Sequence, residues 1–107
     1  MTTATIRNLE KKVERKRAAL AAIGPMRPGS LSRQFRNPKD RTGGYYQLSY
    51  TLRSRSRSEH VRPEHVRTMR DEIKAYQRHR KLDGELVELC IELSKAKIEL
   101  LRKNSSR

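Results

Sequence analysis

A chain of 107 residues with 34% apolar content, no Trp and one Phe makes a single small domain and cannot enclose a large core. Twenty-six Lys and Arg against twelve Asp and Glu leave a net charge of +14, which favours a polyanionic partner, nucleic acid first, over a small neutral substrate. The longest unbroken apolar run, Ala18 to Ile23, is too short to cross a bilayer and the opening Met-Thr-Thr-Ala-Thr lacks the order of a secretion signal, so no membrane association and a cytoplasmic location are expected, nucleoid-associated if the partner is DNA.

Residues 1–24 read as a helix, because Ile6, Leu9, Val13, Leu20 and Ile23 fall on heptad a and d positions and Lys16 alone breaks the stripe. Thr3 or Thr5 suits its N-cap, and Gly24-Pro25 stops it. Residues 26–62 read as a basic antiparallel β-meander of two or three strands. Its clearest strand is Tyr45 to Leu52, where Tyr46, Leu48, Tyr50 and Leu52 alternate with Tyr45, Gln47, Ser49 and Thr51. Weaker strands flank it at Leu31–Arg36, with Leu31 and Phe35 inward, and at roughly Arg57–Val61. So small a sheet is marginal in water, and its Tyr46, Leu48 and Tyr50 face needs an apolar cover.

That cover is the next helix, which opens at Pro63 and Glu64 and carries Val66, Met69, Ile73 and Tyr76 on one stripe. The stripe then breaks and resumes out of phase as Leu82, Leu86, Leu89, Leu93, Ala96 and Leu100, with Asp83-Gly84 at the slip. The reading is a helical arm over residues 63–103, either one long helix or two hinged near Gly84, with residues 104–107 as a tail. The resumed stripe needs a helix of its own to pack on. The first helix qualifies, since its Arg7, Lys11, Lys12, Arg15, Lys16 and Arg17 complement the acidic island of Asp83, Glu85, Glu88 and Glu92. An antiparallel helical hairpin within one chain, or a homodimer through residues 6–23 and 82–100, satisfies both. The fold class is therefore α+β.

Three basic groups stand out as candidate nucleic-acid contacts. Arg67, Arg70, Lys74, Arg78 and Lys81, spaced 3, 4, 4 and 3, gather within an arc of roughly 80° on the second helix, beside its apolar stripe. The plain alternative is a solvated helix face, yet only Asp71 and Glu72 offset these five cations. The stretch Thr51 to Ser58 alternates Arg53, Arg55 and Arg57 with Ser54, Ser56 and Ser58, which reads as a flexible tip rich in phosphate donors, or else as a solubilising loop. Arg33, Arg36, Lys39 and Arg41 form a second basic stretch before the central strand, and Arg62 precedes the second helix. Tyr45 and Gln47 on the outer strand face are suited to stack on or hydrogen-bond to bases, although Tyr45 is equally a shielded surface ring.

Catalysis is not expected. His60, His65 and His79 have no carboxylate or Cys at an orienting spacing, and Gly43-Gly44 is a turn rather than a phosphate loop. Cys90 sits among Leu86, Leu89 and Leu93 as a small hydrophobe, and with one Cys there is no internal disulfide or structural zinc set, so no metal or other cofactor is expected.

Met26-Arg27-Pro28-Gly29-Ser30-Leu31-Ser32, Gly44-Tyr45-Tyr46-Gln47-Leu48-Ser49-Tyr50, Val61-Arg62-Pro63-Glu64 and Glu85-Leu86-Val87-Glu88-Leu89 together resemble an uncharacterised family of short basic bacterial and archaeal proteins, over about residues 10 to 100. The resemblance implies a mobile-element or host-defence setting, since members often occur near transposase genes. Many members carry a Cys-rich knuckle that is absent from Arg33–Arg41, so no metal role carries over. A looser topological likeness is to the sheet-plus-helix modules at the front of phage integrases, which lay a sheet into the DNA major groove. The expected function is nucleic-acid binding, DNA over RNA, mainly by phosphate contacts. The rival is an adaptor that docks its helices onto a larger transposase, nuclease or ribonucleoprotein.

Overall fold

The structure is a computed structural model that describes residues 3–105. The chain runs α1 (Thr3–Ala21), β1 (Ser30–Asn37), β2 (Thr42–Leu52), β3 (Arg55–Val61), a 3-10 turn (Pro63–His65) and α2 (Val66–Ser105). It divides into a helical unit, made by the chain up to Ile23 and from His79 onward, and a sheet unit spanning Gly24–Arg78.

In the sheet unit the strands lie in the order β1-β2-β3, antiparallel throughout. Pairing extends beyond both weak strands of the sequence reading, to Asn37 in β1 and back to Arg55 in β3, because ladder hydrogen bonds to β2 stabilise residues with no apolar signal of their own. Leu48 is fully buried, and it clusters with Val61 from β3 and with Val66 and Ile73 from α2. Leu31, Tyr46, Tyr50 and Met69 pack around that centre. Leu52 shares the face of Leu48 but lies at the end of the strand, where it is 47% exposed. Phe35 is half-buried and outside the cluster.

Two features hold the chain entry to this unit. Gly29 has φ +120°, and a Cβ there would stand 2.5 Å from the Ser49 carbonyl oxygen, so a residue without a side chain is required. The Arg27 backbone N–H donates to the Glu72 carbonyl at 3.0 Å, which fastens the segment before β1 to α2. At the other end of the sheet Arg62 is extended, as a residue before proline prefers, and its carbonyl accepts from the His65 N–H at 2.9 Å.

The helical unit buries Ile6 and Leu9 of α1 against Ala96 of α2, with Leu89, Leu93 and Leu100 around them. Lys16, the break in the α1 stripe, pairs with Glu85. Ile6 and Leu9 near Ala96, and Lys16 near Glu85, make the pairing antiparallel and intramolecular. The stripes of residues 6–23 and 82–100 are thus satisfied within one chain, which removes the need for the homodimer that would join them.

Other boundaries shift. α1 starts at Thr3, so Thr5 lies inside its first turn rather than capping it, and it ends at Ala21 with a closing bond from the Ile23 N–H to the Leu20 carbonyl. α2 continues unbroken through Gly84. Asn104 and Ser105 belong to α2, where Ser105 Oγ donates to the Leu101 carbonyl, while residues 106–107 of the expected tail lie outside the described residues.

Nothing lies within 4 Å of a Cβ built at Gly84. Gly84→Ala should therefore raise stability by about 0.5–1 kcal/mol in urea unfolding, the usual cost of glycine in a helix interior. Gly29→Ala should lower it by roughly 1–3 kcal/mol, because the added methyl meets backbone at a strained φ.

Candidate nucleic-acid interface

Cross-strand pairing sorts the candidate residues onto two faces. Paired residues share a face, so the register Leu31↔Leu48, Arg33↔Tyr46, Tyr50↔Arg57 and Leu52↔Arg55 places Arg33, Arg55 and Arg57 on the side that carries the core. The other side presents Ser30, Ser32, Gln34, Tyr45, Gln47, Ser49, Thr51, Ser56, Ser58 and His60, with Arg36 at the end of β1 opposite Gly43. That outer face is solvent-facing, with Ser49, Thr51, Ser56, Ser58 and His60 all exposed. It is almost uncharged.

The outer face is internally ordered. Gln34 Nε2 donates to Ser32 Oγ at 3.1 Å, and Ser32 Oγ approaches the Gln47 carbonyl at 3.5 Å. The Tyr45 ring stacks on His60 with centroids 5.6 Å apart and planes 21° from parallel. Gln47, Ser49, Thr51, Ser56 and Ser58 line a shallow open depression toward the β2–β3 turn. The face thus offers hydroxyl and amide donors and acceptors with one aromatic platform, the inventory that reads base edges.

The cations sit at its ends and on α2. The expected flexible tip is instead a tight hairpin: Arg53 and Ser54 form a two-residue turn with φ of 51° and 64°, and the ladder resumes at once with Leu52↔Arg55 and Thr51↔Ser56. Both turn residues adopt the left-handed conformation that this hairpin requires, although neither is glycine. Strand alternation then sends Ser56 and Ser58 outward and Arg55 and Arg57 to the core side, so the Arg and Ser side chains do not form one mixed cluster. At the opposite end, Lys39 and Arg41 belong to the β1–β2 connection, with Arg41 at φ 52°, and Arg36 lies against Gly43.

Arg33 is engaged by rings, its guanidinium 5.4 Å from the Phe35 centroid and 5.9 Å from that of Tyr46. Arg62 precedes the 3-10 turn. Arg67, Arg70, Lys74 and Arg78 are all placed on α2 within the sheet unit, where Arg67, Arg70 and Lys74 are exposed. Glu72, which receives the Arg27 N–H, lies on the opposite flank of the helix at about 100° per residue, leaving their side clear of the connector. Lys81 belongs to the helical unit, where its charge helps Lys16 hold the Glu85 carboxyl below the ordinary glutamate range. Among the described residues none of these candidate cations forms an ion pair with a carboxylate.

One cation missed by the sequence reading is neutralised. Arg27 reaches Glu59 at 3.0 Å while its guanidinium lies 5.3 Å from the Tyr50 centroid, and the Tyr50 hydroxyl donates to Glu59 at 3.0 Å. The Arg27 hydrogen bond first, and the Tyr50 hydroxyl second, hold the Glu59 carboxyl below the ordinary glutamate range. No local signal links Arg27 to Glu59, because Arg27 lies in the connector before β1, fastened to α2 through Glu72, while Glu59 lies in β3.

Since the folded carboxyl titrates below the unfolded one, this cluster stabilises the fold above the ordinary glutamate value, and the contribution is lost as pH falls through the lowered folded value. Urea unfolding over the acid range should show the wild-type chain losing more stability on acidification than Glu59→Gln. Parallel losses would remove the cluster from the account. Comparison with family models, with curated proteins and with solved structures finds no match for this chain.

Proposed function

We propose that this chain is a non-enzymatic nucleic-acid-binding protein that engages duplex DNA through its sheet unit. The observation that carries the reading is the pairing of a largely exposed, hydrogen-bonding sheet face of low charge with cations that lack carboxylate partners among the described residues. Between Gly24 and Arg78, thirteen Lys and Arg stand against five Asp and Glu, so the unit carries a surplus of eight positive charges.

Dimensions support the same reading. Three strands about 4.8 Å apart span roughly 10 Å, which fits a major groove about 12 Å wide. With the outer face in the groove, Tyr45, Gln47, Ser49 and Ser58 meet base edges. Lys39 and Arg41 at one end of β2, and Arg53 at the other, reach phosphates on either side. Arg67, Arg70, Lys74 and Arg78 on α2 add long-range attraction that speeds encounter more than it selects sequence. The resemblance to basic proteins found near transposase genes makes a mobile-element or defence setting part of the proposal.

Fluorescence anisotropy on duplex DNA, single-stranded DNA and RNA across a salt series tests this. Duplex should bind best, with affinity falling steeply as salt rises. Replacing Lys39, Arg41 and Arg53 by Ala should lower the slope of log affinity against log salt by roughly 0.9 for each phosphate no longer neutralised. Replacing Tyr45 and Gln47 by Ala should instead narrow the spread of affinities among duplex sequences and leave the slope in place. An unchanged slope in the Lys39, Arg41 and Arg53 triple variant, or equal binding to all three nucleic acids, contradicts the assignment.

A further inference from the structure

The helical unit carries a second apolar stripe that α1 does not cover. Val87, Ile91, Ile98 and Leu101 are 50%, 49%, 52% and 64% exposed. With Ser94 between them they recur at spacings of 4, 3, 4 and 3 residues, a heptad seam in its own right. The stripe lies roughly 140° around α2 from the one that packs on α1, at about 100° per residue. Beside it runs a shallow groove, lined by Val87, Cys90, Ile91 and Ser94 and continuing past Lys97 and Ile98. Solvated charge does not explain four half-exposed aliphatic side chains in register.

We infer that this seam is a homodimer interface on which a second copy of α2 packs antiparallel. The charge order along the helix selects both the partner and its direction. Residues 83–92 hold Asp83, Glu85, Glu88 and Glu92 with no Lys or Arg, while residues 95–103 hold Lys95, Lys97, Arg102 and Lys103 against Glu99. A parallel pair would set the flanking Asp83 against Glu88 of the second copy and Lys97 against its Arg102, like against like. Reversing the second copy lays its basic end along the acidic end of the first, and does the same in the other direction.

The seam is also self-complementary in shape. Ser94 lies seven residues from both Val87 and Leu101. A two-fold axis near Ser94 therefore sets Val87 against Leu101 of the other copy and Ile91 against its Ile98, with the smallest side chain at the crossing. Such an isologous contact closes on itself and adds no further copies. The two hairpins together make a four-helix bundle, the common way for such hairpins to bury a second stripe.

Sedimentation equilibrium of the full chain should give twice the chain mass. Ile91→Asp combined with Ile98→Asp should halve it, with helical circular dichroism unchanged, because both side chains are half-exposed and lie outside the core on α1. Asp83→Lys with Glu88→Lys should also halve the mass, and adding Arg102→Glu with Lys103→Glu, which the two-fold axis sets opposite them, should restore the dimer. A single-chain mass at every concentration overturns the inference, as does a dimer indifferent to the Ile91 and Ile98 changes. A dimer that survives the Asp83 and Glu88 reversal overturns the antiparallel arrangement. The inference does not rest on DNA binding, and the sedimentation runs contain no nucleic acid.

Discussion

Burial of Leu48 sets the side of the sheet on which every other strand residue appears. With that side chain fully enclosed among Val61, Val66 and Ile73, β2 cannot slip by one residue without turning a leucine to water and a glutamine or serine to the core. The ladders to β1 and β3 transmit the choice outward. Arg33, Arg55 and Arg57 are held to the α2 side, and the serines of the Arg-Ser stretch join Tyr45 and Gln47 on the open side. Register thereby separates groups suited to base edges from groups suited to phosphates.

Electrostatics complete that separation. Several acidic side chains are engaged in structural pairs: Glu59 with Arg27 in the sheet unit, Glu85 with Lys16 in the helical unit, and Glu99 with Lys103 along α2. Both of the pairs that are not within one helix hold cations outside the proposed interface, Arg27 beside the core and Lys16 in the helical seam. Exposed ion pairs of this kind contribute little stability in water. Their larger consequence is to leave the cations of the turns and of the α2 flank available to a polyanion. A surplus of this size repels itself in the free protein, and neutralising it on a phosphate backbone releases condensed counterions.

Much of the architecture was readable from periodicity alone. The heptads of Ile6, Leu9 and Val13 and of Leu86, Leu93 and Ala96 announce their partners, and the alternation from Tyr45 to Leu52 marks the central strand together with its buried face. The hairpin stem from Arg55 was hidden because its residues are Arg and Ser, whose pairing depends on β2 rather than on their own preferences. Helix continuity at Gly84 was open for a different reason. A glycine penalty of about 0.5–1 kcal/mol is small beside the packing of the flanking leucines, and sequence does not weigh the two. The Arg27, Tyr50 and Glu59 cluster needs three-dimensional register. The outer seam of Val87, Ile91, Ile98 and Leu101 was masked by the stronger stripe in the same helix and by the acidic residues interleaved with it.

We propose that the open sheet face and the turns beside it meet DNA, while the helical hairpin does not. Backbone amide shifts recorded by NMR during titration with a duplex test it most directly, because every region reports in one experiment. The account expects the largest changes from Arg36 to Ser58, with Tyr45, Gln47, Ser49 and Arg53 prominent, and little change from Leu86 to Leu101. Changes concentrated on α1 and the second half of α2, with the sheet amides silent, would contradict it.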